Sequence, residues 1–180
     1  MASNTAATNR SRMVTGTFRD RENAERAYQS VTSRGYGGKD VNLLMSDETR
    51  NKYFSSGTAK ETDLGSKALE GAGTGGAIGG TVGAIVAALA AVGTSLAIPG
   101  LGIVIAGPIA AALAGAGAGG LTGGIIGALV GAGIPEDRAK LYESDLKNGG
   151  IVMGVTPRTD ADAEYFEREW KNNHGENIYR

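Results

Sequence analysis

The sequence predicts an α+β fold that is interrupted by a long helical insertion. Three observations lead to this prediction. Short strand patterns alternate with amphipathic helix patterns at both ends of the chain. A window without charged residues separates these two halves, and inside it glycine recurs at every fourth position. Both halves are therefore expected to build one head, with the neutral window as a separate unit.

The first half of the head is predicted to have the order β-α-β. Alternating residues at 13–18 predict a strand, and the apolar run at 41–45 predicts a second one. Between them, Asp20 is suited to cap a helix and Gly35 to end it. Apolar residues with helical spacing predict a buried stripe, and the charged residues beside them are expected to face water. The stripe is Ala24, Ala27, Tyr28 and Val31, and the charged residues are Arg21, Glu22, Glu25 and Arg26.

The second half of the head is predicted to have the order α-β-α-β. Pro135 suits the first turn of a helix, and the acidic residues after it suit the positive end of the helix dipole. Thr159 or Asp160 can cap a second helix. The predicted strands are residues 151–156 and 177–179. The predicted buried faces of the two helices are Ala139, Tyr142 and Leu146, and Ala163, Phe166 and Trp170.

Two split βαβ units of this length predict a ferredoxin-like head, with helices on one face of a four-stranded antiparallel sheet. The helix at 136–147 is extra to that pattern and is interpreted as the return from the insertion. The predicted organisation has four parts. These are a disordered tail at 1–12, a head at 13–46 and 134–180, a linker at 47–66, and a helical hairpin at 67–133.

The neutral window carries two ladders of glycine. Of the 30 glycines in the chain, 20 lie in residues 71–135, and that window contains no Asp, Glu, Lys, Arg or His. The spacing of four predicts a helical hairpin, with one helix at 67–92, a bent tip, and a second helix at 108–132. The first ladder is Gly71, Gly75, Gly79 and Gly83, and the second is Gly115, Gly119, Gly123, Gly127 and Gly131.

Glycine in a helix interior costs about 1 kcal/mol relative to alanine, so the ladders need a compensating interaction. Small residues at every fourth position let two helix backbones approach closely, and this contact is expected to form inside the hairpin. The opposite faces then form an apolar stripe that points outward. The stripe on the first helix is Ile78, Val82, Ile85, Val86 and Leu89, and on the second it is Leu121, Ile125, Ile126, Leu129 and Val130.

An outward apolar stripe of this size requires other copies of the chain, lipid, or both. A helix over residues 67–92 would be about 39 Å long, which is enough to cross a bilayer. However, no Lys, Arg, Trp or Tyr marks a far membrane interface in the window. The sequence therefore leaves both partners open, a homo-oligomer and a membrane.

Several functional classes are disfavoured by composition. The 18 basic and 19 acidic residues give no reason to expect nucleic acid as a partner. With no cysteine and a single histidine, His174, a metal site or a nucleophile–base pair is hard to build. Two G-x-G-x-x-G matches, at 71–76 and 115–120, lack the preceding strand that a dinucleotide site needs. We therefore expect no catalytic residues, cofactor, metal or small-molecule substrate, and no enzyme.

The first residues, 1–12, are polar and lack the apolar core of a signal peptide, so a cytoplasmic protein is expected, with membrane association compatible with the insertion.

Seven segments carry a resemblance to a known family. They are Val14-Thr-Gly-Thr-Phe18, Ala24-Glu-Arg-Ala-Tyr28, Gly35-Tyr36, Val41-Asn-Leu-Leu44, Leu96-Ala-Ile-Pro-Gly-Leu-Gly102, Gly131-Ala-Gly-Ile-Pro-Glu-Asp-Arg-Ala-Lys-Leu-Tyr142 and Gly149-Gly-Ile-Val152. Together they resemble the bacterial general stress protein 17M-like family, also known as low-temperature-induced proteins. The resemblance covers nearly all of the chain after Arg12, and it implies a stress-associated protein without established catalytic residues.

Two functional hypotheses follow. The first is a structural protein whose glycine-zipper hairpin drives homo-oligomerisation or membrane association. The second is a small-molecule-sensing head with the hairpin as a membrane anchor, which rests on fold analogy alone.

Overall fold

The computed structural model describes residues 13–54, 85, 95–98, 102–116 and 124–180. In this part of the chain the protein is mixed α/β, with six helices and one antiparallel sheet of six strands. The strands are β1 (Val14–Phe18), β2 (Val41–Ser46), β3 (Ser95–Ile98), β4 (Ile103–Ala106), β5 (Ile151–Val155) and β6 (Glu176–Tyr179). The helices are α1 (Arg21–Thr32), α2 (Asp47–Tyr53), α3 (Pro108–Ala116), α4 (Gly124–Gly131), α5 (Glu136–Lys147) and α6 (Asp160–Asn172).

The predicted head elements are confirmed at their predicted places. The carboxylate of Asp20 accepts a hydrogen bond from the backbone N–H of Asn23 at 2.8 Å and caps α1. Thr159, rather than Asp160, caps α6 by accepting from the N–H of Asp162 at 3.1 Å. Such caps satisfy amides that the first helical turn leaves free.

The sheet is larger than the predicted four strands. Its order is β3-β4-β2-β5-β1-β6, so the four predicted strands are neighbours and two further strands extend the sheet beyond β2. The added pair comes from the insertion. β3 and β4 form an antiparallel hairpin, and β4 pairs with β2, with Leu44 opposite Ile105. The predicted bent tip between the two helices is therefore wrong, because this segment contains β-strands of the common sheet.

Helices cover both faces of the sheet, not one as predicted. On one face, called here the α1/α6 face, the apolar stripes of α1 and α6 pack on β1, β2 and β5 around Phe18, Phe166 and Trp170. The opposite face is called the α3–α5 face. There α3, α4 and α5 pack on Leu44, Ile105 and other residues of β2, β4 and β5. Alternate residues of β2, β4 and β5 thus supply two separate cores.

The connection from β4 to α3 is fixed by two residues. Gly107 has φ +102°, and a Cβ built on it would lie 2.2 Å from the carbonyl oxygen of Val41. The Oδ1 of Asn42, a residue of β2 that is 1% exposed, accepts a hydrogen bond from the backbone N–H of Ile109 at 2.8 Å. The first turn of α3 is therefore held by a buried side chain of the sheet.

Gly107→Ala is expected to destabilise the protein by about 2 kcal/mol or more, because the new methyl group combines a left-handed φ with a backbone collision. The measurement is the free energy of unfolding from urea titration. Gly37→Ala is the matched control, since no atom of the described residues lies within 4 Å of its Cβ position. Equal stability of the two variants would contradict the close contact between Gly107 and the backbone of Val41.

Candidate functional site

Helix α4 has one buried face and one open face. Ile125, Ala128 and Leu129 are at most 2% exposed and pack in the core of the α3–α5 face. Gly127 and Gly131 lie on the other side of the helix, and no atom of the described residues comes within 4 Å of a Cβ built on either of them. Val130, between them, is 43% exposed. Of the two ladder glycines in α4, Gly131 is thus exposed and Gly127 half-buried, on the side opposite the core.

This arrangement reverses the predicted orientation of the apolar stripe. Ile125 and Leu129 were expected to point away from the protein, as was Ile85 of the first helix, but all three are buried. The physical reason is the enlarged sheet, which offers these side chains a larger apolar surface than a facing glycine ladder does. Ile126 is partly buried, and Val130 alone of the described stripe residues is exposed.

The remaining predicted positions are located only in part. Gly115 lies in α3. The other ladder positions, Gly71, Gly75, Gly79, Gly83, Gly119 and Gly123, lie outside the described residues, as do Ile78, Val82, Val86, Leu89 and Leu121 of the stripe.

The two arms of the insertion reach opposite faces of the sheet at their described residues. Ile85, in the first arm, packs in the core of the α1/α6 face. Ile109, Leu113 and Ile125, in the second arm, pack in the core of the α3–α5 face. A hairpin in which the two ladders face each other is not confirmed.

Glu25 is a residue that the sequence patterns misplace. It was expected to face water, but it is 3% exposed, and its Oε2 accepts a hydrogen bond from the backbone N–H of Ile85 at 3.1 Å. Its other oxygen, Oε1, has no hydrogen-bond partner among the described residues and lies 3.6 Å from the Nε of Arg21. Burial, with the nearby charge of Glu25, raises the pKa of Tyr28 to about 12. No periodicity marks Glu25 for burial, because its partner is sixty residues away.

A second buried carboxylate, Asp145 of α5, ties β1 to β6. Asp145 is 6% exposed. Its Oδ2 accepts hydrogen bonds from Thr17 Oγ1 and Asn177 Nδ2, both at 2.8 Å, and its Oδ1 accepts from Arg19 Nη2 at 3.2 Å. Every oxygen of the carboxylate has a donor, so the group is suited to hold the elements together rather than to accept a substrate proton.

A second hydrogen-bond chain lies beside Asp145. Tyr142 donates its phenolic hydrogen to the carbonyl oxygen of Asn177 at 2.9 Å and is 2.7 Å from Thr15 Oγ1. Burial raises the pKa of the Tyr142 hydroxyl. Asn177 has φ +51°, a conformation that asparagine tolerates better than most residues. The side-chain amide and the backbone carbonyl of Asn177 therefore both attach β6, whose pairing with β1 is irregular, to α5.

A third polar cluster lies at the start of α6. Tyr36 donates a hydrogen bond to Asp162 Oδ2 at 2.8 Å and accepts one from the N–H of Arg158 at 2.6 Å. Arg34 lies 3.2 Å from Asp162 Oδ1. The hydrogen bond from Tyr36, helped by Thr159 and the charge of Arg34, lowers the pKa of Asp162.

One open depression and one histidine complete the description of the polar surface. An open depression of about 340 Å³ lies on α6 and is lined by exposed or half-buried charged side chains, among them Glu164, Glu167 and Lys171. Within the described part of the chain, no three acidic or histidine side chains are grouped to hold a metal ion. His174 lies just beyond the end of α6 with φ +55°.

Among the helices of the described ranges, none combines the length and the apolar character that a membrane crossing requires. Comparison with known proteins gives no relative, because no protein-family model, curated protein or solved structure matches the chain.

The contribution of Asn177 to the free energy of unfolding can be separated into a side-chain part and a backbone part. Asn177→Gly removes the hydrogen bond to Asp145 but keeps the left-handed conformation accessible, whereas Asn177→Ala removes the bond and adds backbone strain. We expect the glycine variant to lose about 1 kcal/mol and the alanine variant about 1 kcal/mol more, measured by urea unfolding. Wild-type stability of Asn177→Gly would show that the buried bond does not hold β6.

The Asp162 cluster predicts a pH-dependent contribution to stability. The folded-state pKa of Asp162 is lower than normal. Its ionised form therefore stabilises the fold above about pH 4, and this stabilisation is lost as the pH falls further. Tyr36→Phe should lower the free energy of unfolding by a constant amount at neutral pH, and by less below about pH 4. If the difference in the free energy of unfolding between Tyr36→Phe and wild type stays constant down to about pH 2, the hydrogen bond from Tyr36 is not what lowers the pKa of Asp162.

Proposed function

We propose that the protein is a non-enzymatic assembly protein, whose glycine-rich insertion packs against the insertion of a second copy. The observation that carries the proposal is the open side of α4, where Gly127 and Gly131 flank the half-exposed Val130. Gly127, in the interior of this short helix, costs about 1 kcal/mol relative to alanine, and close helix-to-helix contact between copies would offset that cost.

The direction of the glycine face supports a partner outside the chain. The apolar side of α4 is already covered by the core of the α3–α5 face, so that side does not require another molecule. On the glycine side, Val130 and Gly131 are exposed and Gly127 is half-buried. A second helix can approach a glycine surface more closely than a surface of larger side chains, and symmetric contact between identical copies is the commonest form of oligomer.

We also propose that the head is ferredoxin-like. The neighbouring strands β2-β5-β1-β6, with α1 and α6 together on one face, support this assignment. The resemblance to the general stress protein 17M-like family supports a role in the stress response. We further propose a cytoplasmic location and an association with membranes. The neutral window is long enough to form a membrane-crossing hairpin, although it lacks the flanking residues that mark a membrane interface.

The assembly proposal is tested by placing large side chains on the open face of α4. Gly127→Leu with Gly131→Leu is expected to prevent close helix contact and shift the protein towards monomers, because each leucine holds the partner backbone away. The measurement is sedimentation velocity of the full chain over a range of concentrations. Both positions are free of left-handed backbone, so the fold should tolerate the change.

Ser144→Leu is the matched control, because Ser144 is exposed on α5 and the change adds the same side chain elsewhere. This control should assemble like wild type. Wild-type protein that stays monomeric at every concentration would overturn the proposal, as would a double variant that assembles normally. Flotation with phosphatidylcholine vesicles separates the partners: wild type that floats but does not self-associate would show that lipid, not a second copy, takes this face.

A further inference from the structure

Met13, the residue before β1, lies across a glycine of the neighbouring strand. Thr15 of β1 and Asn42 of β2 are both opposite Gly154 of β5, so these three positions form one row across the sheet. A Cβ built on Gly154 would lie 2.8 Å from the sulfur of Met13. The Met13 side chain therefore occupies space that a larger residue at 154 would fill, and it packs, partly buried, against the core of the α3–α5 face.

The sulfur of Met13 is part of the connection that holds the first turn of α3. Asn42 donates a hydrogen bond from Nδ2 to this sulfur at 3.8 Å, and its Oδ1 accepts from the backbone N–H of Ile109 at 2.8 Å. Only the oxygen of the amide can accept from Ile109, so the Nδ2 must face the sulfur. Because Asn42 is 1% exposed, the thioether serves as acceptor for a buried donor.

Met13 also differs from the other described methionines in its exposure to solvent. It is half-buried, whereas Met45 and Met153 are 1% and 0% exposed. The chain has no cysteine, so among the described residues Met13 carries the sulfur that an oxidant reaches most readily. We propose that Met13 is a site of reversible oxidation by peroxides, and that its sulfoxide releases the first turn of α3 from the sheet.

The oxidation transfers one oxygen atom and two electrons. The thioether sulfur attacks one oxygen of hydrogen peroxide, the S–O bond forms as the O–O bond breaks, and the other oxygen leaves as water after proton transfer. The sulfur is oxidised and the peroxide is reduced. Methionine sulfoxide reductases reverse the change, with two thiols supplying the electrons and protons, a disulfide as their product, and the oxygen leaving as water.

The sulfoxide does not suit the place that the thioether occupies. Oxidation makes the side chain polar, while the surroundings of Met13 are the apolar core of the α3–α5 face. Burying a polar group without full hydrogen bonding is unfavourable, so the oxidised side chain moves towards water. Asn42 then loses the acceptor of its Nδ2, and water gains access to the hydrogen bond between Asn42 and Ile109.

The selectivity of the site is tested by treating the full chain with hydrogen peroxide and locating the sulfoxide by mass spectrometry of its peptides. Met13 should be oxidised at least about tenfold faster than Met45 and Met153, because those two sulfurs become accessible only when the fold opens. Equal rates at the three positions would overturn the assignment of Met13 as the oxidation site.

The release of α3 is tested by amide hydrogen exchange, followed residue by residue by NMR. After oxidation of Met13 the Ile109 amide should exchange at least about tenfold faster, while amides in the middle of α6, on the other face of the sheet, keep their rates. Treatment with methionine sulfoxide reductases should restore the original rate at Ile109. Unchanged or slower exchange at Ile109 in the oxidised protein would overturn the release of α3.

Met13→Leu is the matched control, because leucine keeps the apolar volume and carries no sulfur. In this variant, peroxide should leave the exchange rate of Ile109 where it was before treatment. A peroxide effect as large as that in wild type would show that another residue is responsible and would overturn the proposal. If Met13→Leu does not fold, the reductase treatment of wild type decides the same question, since failure to restore the Ile109 rate after Met13 is reduced would separate the two events.

Discussion

The pairing of β4 with β2 is the interaction on which the rest of the structure depends. It extends the sheet into the insertion, with Leu43 to Ser46 opposite Ile103 to Ala106. A wider sheet has more apolar surface on each side, and both sides must be covered. Beside the helices of the head, the insertion contributes Ile85 to one face and α3 and α4 to the other. The insertion is therefore structurally continuous with the head in the described residues.

The head could be predicted because its patterns are local. Alternation predicts β1, helical spacing predicts the buried stripes of α1, α5 and α6, and the capping residues Asp20 and Thr159 lie beside the helices that they cap. These features depend on residues within one or two turns of each other. Nothing in them requires knowledge of the distant chain.

The insertion could not be predicted in the same way. The segment at 93–108 contains short apolar runs between glycines and prolines, which fit a bent helix tip and a β-hairpin equally well, and pairing with β2 decides between them. The glycine ladders show that a close contact is possible without showing on which side it forms. Glu25, Asp145 and Asn42 are likewise polar residues whose burial depends on partners more than thirty residues away in sequence.

The order of the strands has a consequence for how the chain reaches its folded state. In the described sheet, β3 and β4 are only four residues apart in the sequence, with Ile98 opposite Ile103, whereas β2 and β5 are separated along the sequence by the entire insertion. Local strand pairs close at a small entropic cost and distant pairs at a larger one. The β3–β4 pair can therefore form early, and β2 can then pair with the edge of β4. Residues that lie outside the four-stranded head would then contribute to the rate at which that head is assembled.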